Sequence, residues 1–305
     1  TDPEDPSAGA PLDFWVIGSD QGLGTAAQTD TLVIEPGGRY DVVFDFALVP
    51  EGSRVIMKNL GGDAPFGGDF GAALAPEDLF PDRQTDRIMA FDVVVPLDTT
   101  VPDNFNPANL PTYGGVGIED VVRRVALFEG TDEFGRLQPL LGTVQGPPQD
   151  PYNLDNLDVA TALTWFQPTT DTPALNSTEI WEIYNFTADA HPVHLHLVNF
   201  QILDRKDFEY DITGVQPVIQ HNGTTGEAPE ISYIRNLTAA SVGSEYFEWA
   251  PKDMVTSLPG DPDGDPPTGQ MVRIRAEFNK LGRYVWHCHI LSHEDHEMMR
   301  VLQII

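Results

Sequence analysis

The sequence predicts an all-β fold made of Greek-key β-sandwich domains. Short runs of β-branched and aromatic residues recur along the chain, and clusters of Gly, Pro and Asp separate them. No long stretch places apolar residues at helical spacing, and 27 Gly with 26 Pro provide turn residues. The predicted strands are 32–34, 40–46, 54–58, 88–95, 121–128, 179–184, 198–203, 271–278 and 283–286.

The composition excludes some classes of partner. Asp and Glu number 47 against 17 Lys and Arg, for a formal net charge of −30. A nucleic-acid partner is not expected, because phosphate binding needs basic patches. No apolar run has the length that a membrane span requires, while 41% hydrophobic residues suffice for packed cores.

The positions of Pro- and Gly-rich segments predict how the chain divides into domains. Residues 1–11 are acidic and Pro-rich, which indicates an exposed loop. Residues 97–117, where Pro, Asn and Gly crowd together, are predicted to link a first β-unit at 12–96 to a second at 118–305.

The most specific signal is the stretch His287-Cys288-His289, followed by His293 and Met298. Cys288 is the chain's single cysteine. Two imidazoles, one thiolate and a weak thioether form the ligand set of blue copper, and Cys288, His293 and Met298 offer three of those four groups. The fourth ligand must come from elsewhere in the chain.

A second histidine motif lies upstream, at His191, His194 and His196. Pro192 favours an extended backbone at His191, so that its side chain can complete the Cys288 site. His194 and His196 are two residues apart and can enter one pocket.

The same alternation applies to residues 282–289, if they form a strand. Cys288 then points to one face, while His287 and His289 point to the other. The sequence therefore predicts two copper sites joined by a few covalent bonds. One would use His191, Cys288, His293 and Met298, and the other His194, His196, His287 and His289.

Other interpretations of these residues compete with copper. A lone buried His or Cys is usually structural, but two dense motifs account for all histidines except His221 and His296. Zinc also takes His and Cys, yet it does not require the thioether. A cysteine hydrolase has no use for the additional histidines.

At these motifs the chain resembles the multicopper oxidases, particularly the bacterial spore-coat laccase and bilirubin oxidase branch. The matching segments are HPVHLHLVNFQILDR at 191–205, GRYVWHCHILSHEDHEMMR at 282–300 and, upstream, residues 14–46. The resemblance implies cupredoxin-like domains: part of the middle domain, and then the C-terminal domain.

The resemblance also implies ligand roles. His191, Cys288, His293 and Met298 would bind type 1 copper, and Met298 would keep its potential low. His194 would bind type 2 copper, and His196, His287 and His289 the type 3 pair. Glu294 would deliver protons, and Cys288 would carry electrons to the cluster that reduces dioxygen to water. The family further implies an extracellular or periplasmic location.

One part of the family pattern is missing. A complete trinuclear cluster needs two further His-x-His motifs, and no histidine precedes His191. We expect an N-terminal chain or fragment of the same oxidase to supply them, with cleavage or a split near residues 1–11. The alternative is a blue-copper electron-transfer or copper-binding subunit without oxidase activity. Copper nitrite reduction is less compatible with a His-Cys-His segment that serves a paired site.

Overall fold

The computed structural model describes residues 9–61, 66–67, 87–118, 121–146, 158–236 and 242–305. Of the predicted N-terminal loop, residues 1–8 lie outside this part, and residues 9–11 are exposed coil. Within the described ranges no helix is long and apolar enough to cross a membrane.

The described part of the first β-unit contains five strands. A three-stranded antiparallel sheet has the order β2-β1-β3, and β4 pairs with β5. The Phe91 ring of β5 contacts Phe44 of β3 at 5.6 Å, which packs the pair against the sheet. The strands are β1 (Phe14–Ser19), β2 (Gly22–Thr29), β3 (Tyr40–Phe44), β4 (Arg54–Lys58) and β5 (Arg87–Asp92).

The second unit is a β-sandwich of two sheets. The larger sheet has the order β12-β8-β7-β6-β9-β15-β11-β13, and the smaller has the order β14-β10-β16-β17. The only α-helix in the described ranges is α1 (Leu291–Glu294). The strands are β6 (Val121–Thr131), β7 (Leu137–Gln145), β8 (Val159–Leu163), β9 (Ser177–Asn185), β10 (His191–Leu195), β11 (Phe200–Ile219), β12 (Thr225–Asn236), β13 (Val242–Gly243), β14 (Met254–Ser257), β15 (Thr268–Phe278), β16 (Gly282–Cys288) and β17 (Met299–Ile304).

The core of the second unit lies between its two sheets. Trp181 and Ile274 of the larger sheet pack with Val193 and Trp286 of the smaller one, and all are at most 2% exposed. Cys288 and Met298 belong to the same cluster. Apolar burial therefore holds the smaller sheet, which carries His191, His194 and His287, firmly against the larger one.

The all-β prediction is confirmed, but one predicted strand is wrong. Residues 32–34 pair with no strand, because the chain turns immediately after them. The N–H of Gly38 donates to the carbonyl of Glu35 at 2.9 Å, and the Glu35 carboxylate turns inward to Lys252. The domain limits at 12–96, 97–117 and 118–305 stay predictions. Described residues 93–118 contain one 3-10 turn, at Pro107–Asn109, and no strand.

Candidate metal centre

Two adjacent strands position most of the candidate ligands. β10 pairs antiparallel with β16, so that Val193 lies opposite Cys288 and His194 lies opposite His287. Side chains alternate across a strand, and consecutive residues therefore point to opposite faces. β-branched and aromatic residues, as in Val285 and Trp286, favour this pleated conformation.

The first ligand group consists of His191, Cys288 and His293. Their ligand atoms all lie within 4.8 Å of one another. The Cys288 Sγ is 3.8 Å from His191 Nδ1 and 3.9 Å from His293 Nδ1. His191 and Cys288 are fully buried. Met298 is fully buried in the same core, and its carbonyl accepts the Cys288 N–H at 3.0 Å.

Hydrogen bonds determine which nitrogen of His191 can bind a metal. The Thr187 hydroxyl lies 2.8 Å from His191 Nε2. That hydroxyl donates to Asn185 Oδ1 or to the Asp189 carbonyl, so it accepts from Nε2–H. The tautomer leaves an unprotonated Nδ1 facing Cys288 and His293.

Burial strongly shifts the pKa values of His191 and Cys288 in this group. Burial, assisted by the charge of His293, lowers the pKa of His191 to about 3. Burial also raises the pKa of the Cys288 thiol to about 12. His191 is therefore neutral at physiological pH, as a ligand must be, and a bound cation would displace the thiol proton.

The second ligand group consists of His194, His196 and His287, whose ligand atoms also lie within 4.8 Å of one another. The Nε2 atoms of His196 and His287 are 3.2 Å apart. His287 is buried, whereas His196 is exposed and lines an open cleft with Trp165 and Tyr284. The group is closed on the side of the sheet and open on the side of His196.

Main-chain carbonyls orient this group. His194 Nδ1 lies 2.9 Å from the Asp253 carbonyl, and His287 Nδ1 lies 3.0 Å from the Cys288 carbonyl. A carbonyl only accepts, so each Nδ1 carries the proton and each Nε2 keeps its lone pair. Burial lowers the pKa values of His196 and His287, which favours the neutral form of these imidazoles.

The donor chemistry fits copper. In the first group the Nδ1 atoms of His191 and His293 lie 3.3 Å apart beside a sulfur, and burial lowers the pKa values of both imidazoles, so that two neutral rings face a position where a cation could bind both. Two imidazoles and one thiolate with a thioether near them are the blue-copper set. The second group offers only imidazole nitrogens, which suit copper as well.

His289 and Glu294 border the second group. The His289 ring centroid lies 5.6 Å from that of His287 and 6.1 Å from that of His194, but His289 is not in the 4.8 Å group. The Glu294 carboxylate lies 3.2 Å from His287 Nδ1. In the described part of the chain, His221 and His296 belong to neither group; His221 packs on Phe166 instead.

The residues that hold the ligands in place were not predicted from the sequence. Thr187 fixes the tautomer of His191, and Asp253 that of His194. Thr187 has a local signal, since it follows a buried strand just before the His191 motif. Asp253 has none, because it lies 59 residues from His194 along the chain.

A cupredoxin-like sandwich that carries these ligand groups is typical of one class of copper-binding proteins. Sequence comparison points to the same class. The multicopper oxidase family model matches residues 144–226 and 265–305. A laccase from Bacillus subtilis is 35% identical over 297 residues, which are 96% of this chain and 46% of that protein. A Bacillus stratosphericus laccase is 32% identical over 292 residues, or 95% and 46%. The chain belongs to the multicopper oxidase family and matches the C-terminal portion of its members.

Solved structures agree on the fold. The McoA multicopper oxidase from Aquifex aeolicus superposes with a TM-score of 0.53 at 21% identity, over 96% of this chain and 50% of that one. The chain thus spans about half the length of its relatives.

Proposed function

We propose that this chain is the copper-binding C-terminal part of a laccase-like oxidase. Bound copper would supply one-electron oxidation of a donor at a type 1 site and four-electron reduction of dioxygen to water at a trinuclear cluster. His191, Cys288, His293 and Met298 would hold the type 1 copper. His194 would hold the type 2 copper, and the type 3 pair would be held by His196, His287 and His289.

The observation that carries this proposal is the division of neighbouring residues between two ligand groups. Cys288 lies in one group, and His287 lies in the other. The Cys288 carbonyl also accepts a hydrogen bond from His287 Nδ1 at 3.0 Å. The main chain therefore provides a direct covalent and hydrogen-bonded connection between a site that accepts electrons and a site that uses them. An isolated electron carrier has no need of the second group.

Glu294 is proposed to hold and transfer protons. Its carboxylate lies 3.2 Å from His287 Nδ1 and is about one quarter exposed. It therefore reaches both the second group and solvent, which is what proton delivery to a site of dioxygen reduction requires.

We further propose that an N-terminal portion of the same oxidase supplies the two missing His-x-His motifs. The second group is open beside the exposed His196, and the chain corresponds to 46% of each Bacillus laccase. No histidine precedes His191 in this chain. By family resemblance, the assembled enzyme would act outside the cytoplasm, in the periplasm or beyond, on phenols, tetrapyrroles or low-valent metal ions.

Copper stoichiometry combined with dioxygen uptake tests the proposal. The chain is mixed with an N-terminal oxidase portion that carries the two motifs, loaded with copper, and given a phenol, bilirubin, ferrous or cuprous donor. We expect one type 1 copper, a cluster of three coppers and dioxygen consumption. A blue protein that binds a single copper and consumes no dioxygen would instead be the electron-transfer subunit.

A further inference from the structure

A network of charged side chains joins the first β-unit to the second ligand group. Arg39 of the first unit donates to both carboxylate oxygens of Asp253, at 2.8 and 2.7 Å. Gln21 donates to the same carboxylate at 2.5 Å. Arg39 is half-exposed, but the Asp253 side chain is buried. Water therefore has little access to the Asp253 carboxylate and cannot readily replace these hydrogen bonds. Burial alone would raise the pKa of Asp253, but the hydrogen bonds from Arg39 and Gln21 outweigh this effect and lower the pKa.

Asp253 in turn holds a candidate ligand. Its main-chain carbonyl accepts the His194 Nδ1–H at 2.9 Å, and one carboxylate oxygen lies 3.6 Å from the same nitrogen. The residue after it, Met254, is the register partner of His194 in the sheet. A shift of Asp253 would therefore change both the tautomer preference and the direction of His194 Nε2.

The main chain at Asp253 is fixed from the same side. Asp20 Oδ2 accepts the N–H groups of Asp253 and Met254 at 3.1 and 3.2 Å. The buried Lys252 ammonium lies 3.2 Å from both Asp20 and Glu35. Each carboxylate in this network thus has a cationic or N–H partner, as a buried charge requires.

We propose that Arg39 is a positioning residue for the His194 ligand and acts through Asp253, so that the first β-unit sets the geometry of a metal half-site that it does not itself ligate. This inference rests on the proposed function, since it assumes copper at His194. It assigns the first unit a role in the site beyond packing.

Substitution at Arg39 tests the proposal by metal binding and spectroscopy, in the chain assembled with the N-terminal oxidase portion described above. Arg39→Gln removes the bidentate pair, and Arg39→Lys retains one charged hydrogen bond. The matched control is Arg54→Gln, because Arg54 forms the same bidentate pair with Asp92, at 2.6 and 2.9 Å, on the exposed surface of the same unit. The readouts are the electron paramagnetic resonance hyperfine splitting and the dissociation constant of the non-blue copper, with the blue absorption as a measure of folding.

We expect Arg39→Gln to change the hyperfine splitting of the non-blue copper and to weaken its binding about tenfold, the lower end of what loss of an outer hydrogen-bonding partner costs. Arg39→Lys should fall between Arg39→Gln and the parent. Arg54→Gln should match the parent, and the blue absorption should persist in all four proteins.

Three results would overturn the proposal. Non-blue copper in Arg39→Gln with the parent's splitting and affinity would exclude the positioning role while leaving the proposed function intact. Equal effects in Arg39→Gln and Arg54→Gln would show a general effect of charge. A parent assembly with that N-terminal portion that binds only the blue copper would contradict both the positioning role and the proposed function.

Discussion

His287 and Cys288 are consecutive residues, yet their ligand atoms lie in different groups on opposite faces of β16. The alternation of a β-strand produces this separation, and the main chain between the two residues fixes it. Two sites with unlike ligands therefore come within one residue of each other without sharing a side chain. Substitution of Cys288 should consequently affect the first ligand group, and substitution of His287 the second.

Cys288→Ser should remove the first site and leave the second. A serine hydroxyl cannot replace a thiolate as a soft ligand, so we expect loss of the blue absorption and of one copper per chain. Metal analysis and visible spectroscopy measure this outcome. Ser292→Ala, on the exposed part of α1, is the control. Blue absorption in Cys288→Ser would contradict the assignment of the thiolate.

Thr187→Val should weaken copper binding at the first group. Valine has nearly the shape of threonine but cannot accept the His191 Nε2–H, so the buried ring loses the bond that fixes its tautomer. We expect the dissociation constant of the blue copper to rise about tenfold or more. Competition with a chelator measures it. Thr187→Ser retains the hydroxyl and should bind like the parent; equal losses in both variants would indicate a packing effect.

Gly37→Ala should disturb His289. Gly37 has φ +82°, and a Cβ there would lie 2.8 Å from the His289 ring. Gly52 is a matched control, because its φ is +85° and its Cβ would meet nothing within 4 Å. Both variants bear the backbone cost of a left-handed alanine, about 1 kcal/mol, but only Gly37→Ala should also lower the copper content of the second group. Thermal unfolding and metal analysis separate the two effects, and equal copper contents would contradict the ring contact.

Glu35 should make stability depend on pH. Burial raises the pKa of Glu35 above its ordinary value of 4.5, against the lowering effect of Lys252. The folded chain therefore holds this proton more tightly than the unfolded chain, so the contribution is complete below about pH 4.5 and is lost as pH rises through the folded pKa.

The test is Glu35→Gln, which replaces the titrating group with a neutral one. In metal-free protein, the free energy of unfolding of the variant minus that of the parent should increase above pH 4.5, by up to about 1.4 kcal/mol per pH unit. Denaturant unfolding across this range measures it, with the exposed Glu51→Gln as control. A pH-independent difference would exclude burial of the carboxyl as its cause.

Local patterns predicted the fold class and the two histidine motifs, because both are written in short stretches of sequence. They did not predict the length of β11, which continues to Ile219 through Gly214 and Pro217. Those residues usually interrupt strands, but long antiparallel pairing with β12 and two bulges accommodate them. Such pairing is a tertiary contact and leaves no local signal.

The contacts that hold the ligands in place could not be predicted from local sequence patterns either. Arg39 binds Asp253, which lies 214 residues away along the chain, and Gly37 approaches His289 from the other unit. Neither residue type is unusual in its own segment. Spacing therefore indicated which side chains belong to the candidate site, whereas their orientation depends on docking between distant parts of the chain.

The register between β10 and β16 carries a consequence for evolution and for protein design. His194 lies opposite His287, and Val193 lies opposite Cys288. Insertion or deletion of one residue in either strand would send each downstream ligand to the wrong face. The two strands must therefore change together, and grafting this centre onto another scaffold means transferring the paired strands as one unit.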